Sequence, residues 1–233
     1  MLKKELILRN PLQLMGYEEE DIIPAGGFGA VLAHAGTGKT ALMVQIALST
    51  MLRGKNVLHI SLQDPVTKVS LWYKELFDDL TKLYNVAQIS QFWESILPHR
   101  FIMTFKVDGF SAPRLEERIT DLTEQGIFAP QMVIIDGLHF NETVRKTLTE
   151  LKALAGKRGL HVWFAVHTHR HEEAVPGAMP KPLQGVDDLF DVALQLRPSG
   201  KDIHIIALKG APSASSQQAL ILDPSTMLIK DQN

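Results

Sequence analysis

"LAHAGTGKTALM", residues 32–43, decides how the rest of the chain is read. Gly36, Gly38, Lys39 and Thr40 stand where a phosphate-cradling loop needs them. In such a loop glycines let successive backbone N–H groups converge on phosphate oxygens, a Lys reaches the β and γ oxygens, and the closing hydroxyl binds Mg²⁺. Ala33 replaces the first glycine of the eight-residue pattern, so the flanking residues carry the rest. Ahead lies "FGAVLA" (28–33), an apolar strand; behind lies "TALMVQIALSTMLRG" (40–54), a helix apolar nearly all round and closed by Gly54. The helix N-terminus adds its amides and dipole to anion binding. The cradle spans His34, Ala35, Gly36, Thr37, Gly38, Lys39, Thr40 and Ala41.

A site for Mg²⁺ and nucleotide also needs a carboxylate at a nearby strand end, and "QMVIIDGL" supplies Asp136. Thr40 and Asp136 are the metal-site candidates, and together with the cradle they point to ATP with Mg²⁺. From Phe28 onward short apolar runs alternate with helical ones, the signature of an α/β layer fold. The expected architecture is three layers, a mostly parallel sheet with helices on both faces. Besides 28–33, strands are expected at 56–62, 100–106, 131–136, 161–166, 191–196 and 202–208. Val69, Trp72, Leu76, Leu80 and Leu83 repeat at helical spacing. A further helix is expected over 113–124, and another from Asn141, a plausible N-cap, to Gly159. Residues 1–25 read as an irregular lead-in and 26–233 as one domain, with a Pro- and Gly-rich surface loop over 171–185.

The totals exclude several classes. With 24 Lys and Arg against 26 Asp and Glu, the formal charge is −2, so no global field draws the chain to nucleic acid or anionic lipid. The 233 residues contain no Cys, which removes thiolate chemistry and disulfides and suits a reducing compartment. No apolar run approaches the roughly 20 residues that cross a bilayer, and the opening lacks the pattern of a secretion signal. A cytoplasmic protein with no membrane contact is expected. There is no G-x-S-x-G nucleophile elbow, and the glycines do not follow G-x-G-x-x-G.

Taken together, "AHAGTGKT", "VLHISLQDP", "MVIIDGL", "VWFAVHTHR" and "IIALKGAPSAS" resemble the RecA-like ATPases, especially the KaiC and DnaB branch and small RepA-type hexameric helicases. The likeness covers roughly Ala25 to Ile229. It implies a RecA-type core, a homo-oligomer of hexameric-ring type, a catalytic Glu after the second strand, and a polar sensor of the γ-phosphate at His167. It also implies that Lys209 and an Arg two positions later reach a neighbouring subunit's nucleotide. Two positions depart from this pattern. Gln63 stands where the Glu is expected, and a neutral amide orients a water but takes no proton from it. Ala211 stands where the finger Arg is expected; such an Arg is worth ~10³ to 10⁵ in rate. Asp64 replaces the missing carboxylate only if the chain turns there, which Pro65 favours. Gln63, Asp64 and His167 are thus the catalytic candidates, with ATP binding expected and fast turnover not.

His167, His169 and His171 alternate, so an extended chain would present all three on one side, with Glu172, Glu173 or Asp136 as carboxylates for a metal. The competing readings are a γ-phosphate sensor at His167 and ordinary surface histidines. The 171–185 loop sets Arg170 and Lys181 against Glu172 and Glu173 with no aromatic, a poor surface for single-stranded nucleic acid. Trp72, Trp93 and Trp163 are expected in or beside the core, with a partner contact as the alternative for Trp93. The rival functions are a nucleotide-binding module without turnover, a nucleic-acid motor, and a small-molecule kinase.

Overall fold

The computed structural model describes residues 11–14, 21–82, 86–168, 179–210 and 220–230. All seven expected strands form: β1 (Phe28–Ala33), β2 (Val57–Ser61), β3 (Arg100–Thr104), β4 (Met132–Asp136), β5 (His161–His167), β6 (Val192–Ser199) and β7 (Asp202–Lys209). They join β8 (Leu220–Leu222) in one sheet of order β3-β2-β4-β5-β1-β6-β7-β8. The pairings from β3 to β6 are parallel, and β7 and β8 are antiparallel. Strands of a parallel sheet are covered on both faces, so they are apolar throughout rather than alternating; every residue of β1 and β2 is buried.

Helices α1 (Lys39–Leu52), α2 (Val66–Thr81) and α3 (Val86–Ile96) cover one face of the sheet. The other is covered by α4 (Ala112–Glu124) and α5 (Val144–Arg158), which completes the three layers. α1 is buried from Ala41 through Leu52 because it touches the sheet, α2 and the chain's last described segment; Gln45 Nε2 donates to the Met227 carbonyl at 2.8 Å. Among the described residues no helix is long and apolar enough to cross a membrane.

A four-residue helix at Pro11–Leu14 departs from the irregular lead-in expected over 1–25, and β8 and α3 also escaped the sequence reading. β8 has three residues, too few to show a period. α3 carries Phe92 and Trp93, whose rings pack on Phe77 at 6.0 and 4.8 Å, so Trp93 lies against the core rather than facing outward as a partner contact. Asn141 is not the N-cap of α5. Its Oδ1 accepts from the amide and hydroxyl of Thr143, closing a turn ahead of a helix that starts at Val144. Leu83 of the expected α2 stripe lies outside the described residues.

One buried polar cluster fastens β2 to α2. His59, wholly buried, shares a 3.0 Å hydrogen bond with the Tyr73 hydroxyl. Burial first, and then the Arg100 charge, push His59 down to about 3, so it stays neutral at physiological pH. The Arg100 guanidinium lies over the Tyr73 ring at 4.8 Å.

Candidate nucleotide site

Parallel pairing brings the carboxyl ends of β1 to β6 to one edge, where ligands of open α/β sheets bind. Registers across the sheet align Ser61 with Asp136, Asp136 with Ala165, and Ala33 with His167. Side chains alternate between faces along a strand. Ala33 and Ala165 belong to the cluster on the α1 face, so His167 shares that face, as do Asp136 (with Met132 and Ile134) and Ser61 (with Val57). Strands far apart in sequence thus deliver their polar ends beside the first turn of α1.

The loop between β1 and α1 is shaped by its glycines. Gly36 has φ 75°, and Gly38, which caps α1, has φ 92°. A Cβ on Gly38 would lie 2.8 Å from Leu222 Cδ2 and 3.2 Å from Met227 Sδ. Both are ends of flexible side chains that can yield, so the backbone conformation sets most of the cost, roughly 1–2 kcal/mol. Gly38→Ala is therefore expected to lower thermal stability by about that amount and to weaken nucleotide binding by distorting the cradle, read from melting curves with and without ATP.

Lys39 Nζ donates to the carbonyls of Ala33 at 3.0 Å and His34 at 3.1 Å, so the ammonium spans the mouth of the loop. Burial pulls its pKa below the usual lysine value, opposed by the nearby Asp136 charge. Thr40 Oγ1 donates to Asp136 Oδ2 at 3.1 Å, joining residues 96 positions apart. Burial raises the Asp136 carboxyl; the Thr40 hydrogen bond and Lys39 oppose this, and Asp64 adds a smaller upward push. A hydroxyl and a carboxylate in contact are hard oxygen donors, the set that suits Mg²⁺ with waters filling the other positions.

A carboxylate raised by burial costs stability when ionised. The penalty is full well above the folded pKa and fades as pH falls through it, so this group favours the ligand-free fold at lower pH. Asp136→Asn keeps an acceptor for Thr40 and removes that penalty. The ligand-free variant is expected to melt no lower than the parent at pH 7, with a flatter pH dependence, while losing at least tenfold in affinity for Mg²⁺ with ATP.

The chain does turn after β2. It bends through 62–64, the Asp64 amide donates to Ser61 Oγ at 2.9 Å, and the Leu62 amide to the Asp136 carbonyl at 2.9 Å. The bend separates the two candidates for placing water. Asp64 turns toward α2, pairing with Lys68 at 2.9 Å, yet stays close enough to raise Asp136. Gln63 is exposed and lies over Gly137, where a Cβ would meet its Cγ at 3.0 Å and Cδ at 3.3 Å. Gly137, at φ 93°, leaves that room.

Two contacts were invisible in the sequence. The His34 imidazole points to the end of β5, with Nδ1 3.0 Å from the Thr168 carbonyl and 3.1 Å from its hydroxyl. His34 and the buried Thr168 thereby tie the loop to the strand that ends in His167, and His34 lends the cradle its backbone. Lys209, expected to face a neighbouring subunit, donates to the Asp187 carbonyl of its own chain at 2.7 Å. Ala211, His169, Arg170, His171, Glu172 and Glu173 lie outside the described residues, and so does most of the 171–185 loop. Among the described residues no group of three or more His, Asp or Glu converges as a metal cluster.

A family model described as an AAA domain matches residues 17–173, more than half of the chain. The matched span includes the cradle, Gln63, Asp64, Asp136 and His167. No curated protein matches the chain.

Proposed function

This chain belongs to the AAA-domain family of P-loop nucleotide-binding ATPases, and from that premise we propose a slow or regulated Mg²⁺-dependent ATPase of the KaiC and DnaB type. The observation that carries the reading is the 3.1 Å contact of Thr40 with Asp136 beside the Lys39 ammonium. In this reading Lys39 binds the β- and γ-phosphates and the amides of 34–41 wrap them. Thr40 and Asp136 hold the Mg²⁺, which supplies neutralisation of phosphate charge. His167, on the α1 face at the end of β5, senses the γ-phosphate.

Hydrolysis requires a water aligned with the γ-phosphorus and an acceptor for its proton. Gln63 orients the water, and the proton passes to Asp64 or to solvent. Slow turnover follows, because neither residue is a carboxylate already placed over the end of β4. A homo-oligomer, built as a ring, would let Lys209 leave the Asp187 carbonyl for a neighbour's nucleotide. The second reading, a nucleotide-binding module without turnover, is favoured by Gln63 itself.

Phosphate release measured beside ATP binding and size-exclusion chromatography separates the two readings. Binding with slow, assembly-dependent release supports the ATPase, and binding with no release above background supports the module. Absence of ATP binding refutes both.

A further inference from the structure

Away from the cradle, on the same carboxyl edge of the sheet, the end of β3 and the first turns of α4 border an open cavity of about 470 Å³. Thr104, Phe105, Lys106, Arg114, Glu117 and Arg118 line it, three cations against one carboxylate. Arg114 and Arg118 are one helical turn apart and so lie on one side of α4. Arg114 Nη1 donates to the Gly109 carbonyl at 2.9 Å, which fixes its guanidinium at the wall. Arg118 makes a loose 3.6 Å contact with the exposed Asp121. The edge-on packing of Phe105 against Phe110, 5.5 Å between centroids, holds the strand exit that carries Lys106.

We propose that this cavity is a second anion site, distinct from the cradle, that takes a phosphate-bearing small molecule. Its volume falls within the roughly 300–1,000 Å³ of small-molecule pockets. Guanidinium forks match phosphate oxygens, and the Lys106 ammonium adds a point charge. A nucleic-acid strand would call for a basic stripe across the surface. Here the cations converge on one cavity in a chain of formal charge −2. The site is also placed to act as an effector site. The Phe105 amide donates to the Ser61 carbonyl at 3.2 Å, and Ser61 Oγ holds the Asp64 amide at 2.9 Å. A ligand on Lys106 therefore sits one hydrogen-bonded strand away from the bend that carries Gln63 and Asp64. Binding is independent of the ATPase reading; only an effect on turnover rests on it.

The test is calorimetric titration with inorganic pyrophosphate in the Lys39→Ala background, which silences the cradle. One binding event is expected, weakened at least tenfold by adding Lys106→Ala and Arg118→Ala, both exposed positions, and strengthened by Glu117→Gln. Without Lys39→Ala, the Lys106→Ala, Arg118→Ala protein should bind ATP within twofold of the parent. No heat in the Lys39→Ala background, or heat insensitive to Lys106 and Arg118, overturns the proposal. A labelled oligothymidylate that binds through Lys106 and Arg118 while pyrophosphate gives no heat overturns it in favour of nucleic acid. Failure of the parent protein to bind ATP would sink the ATPase reading and leave this one standing.

Discussion

Lys39→Ala is expected to lose ATP binding by about a hundredfold or more. The ammonium already bridges two carbonyls at the loop mouth, 3.0 and 3.1 Å away, so it is held where phosphate oxygens would arrive. Hydrogen bonds to charged groups contribute roughly 1.5–3 kcal/mol each. Two of them to a triphosphate exceed about 3 kcal/mol, and each 1.4 kcal/mol is a factor of ten in affinity. The ligand-free fold should tolerate the change. Burial lowers the Lys39 pKa, so the folded chain spends free energy keeping that charge, and its removal offsets the two lost carbonyl contacts. Calorimetry on both proteins at matched melting temperature isolates the binding effect. Equal affinity in the two would remove the cradle assignment.

Gln63→Glu carries the second large effect, a rise in phosphate release of about a hundredfold, at the lower end of the roughly 10²–10⁴ that a positioned general base supplies. The new carboxylate would replace an amide lying over Gly137, beside Asp136 and near Asp64. Like charge on Asp136 disfavours ionisation of a carboxylate placed beside it, which moves such a base toward working pH, where it is most effective. The competing assignment gives opposite results. If Asp64 is the base, Asp64→Asn abolishes release and Gln63→Glu changes little. Measuring both variants at saturating ATP decides which residue acts, because the bend at 62–64 sends them in different directions.

The cradle, the seven long strands and the three-layer arrangement were legible in the sequence. Each rests on a local rule: glycines beside Lys-Thr, apolar runs of strand length, and helical periods ending on Gly54 or Gly159. β8 and α3, which were missed, lacked such a rule. β8 is three apolar residues with no polar partner to mark an alternation, and α3 lies in a segment where Phe92 and Trp93 read as packing residues without declaring a helix. The N-cap at Asn141 failed for a related reason. An Asn closes a turn or caps a helix with the same side-chain oxygen, and only the path of the chain selects between them.

By itself the sequence determined that a glycine-rich P-loop opens a buried helix and that a carboxylate ends a later strand, because both follow from residue type and spacing over a dozen positions. Tertiary structure alone decided that Asp136 meets Thr40, that the chain bends to part Gln63 from Asp64, that Thr168 anchors His34, and that Lys106, Arg114 and Arg118 share one cavity. Those relations depend on strand order and register between segments up to 134 positions apart, and pairing across such separations is set by the packing of the whole sheet rather than by local preference.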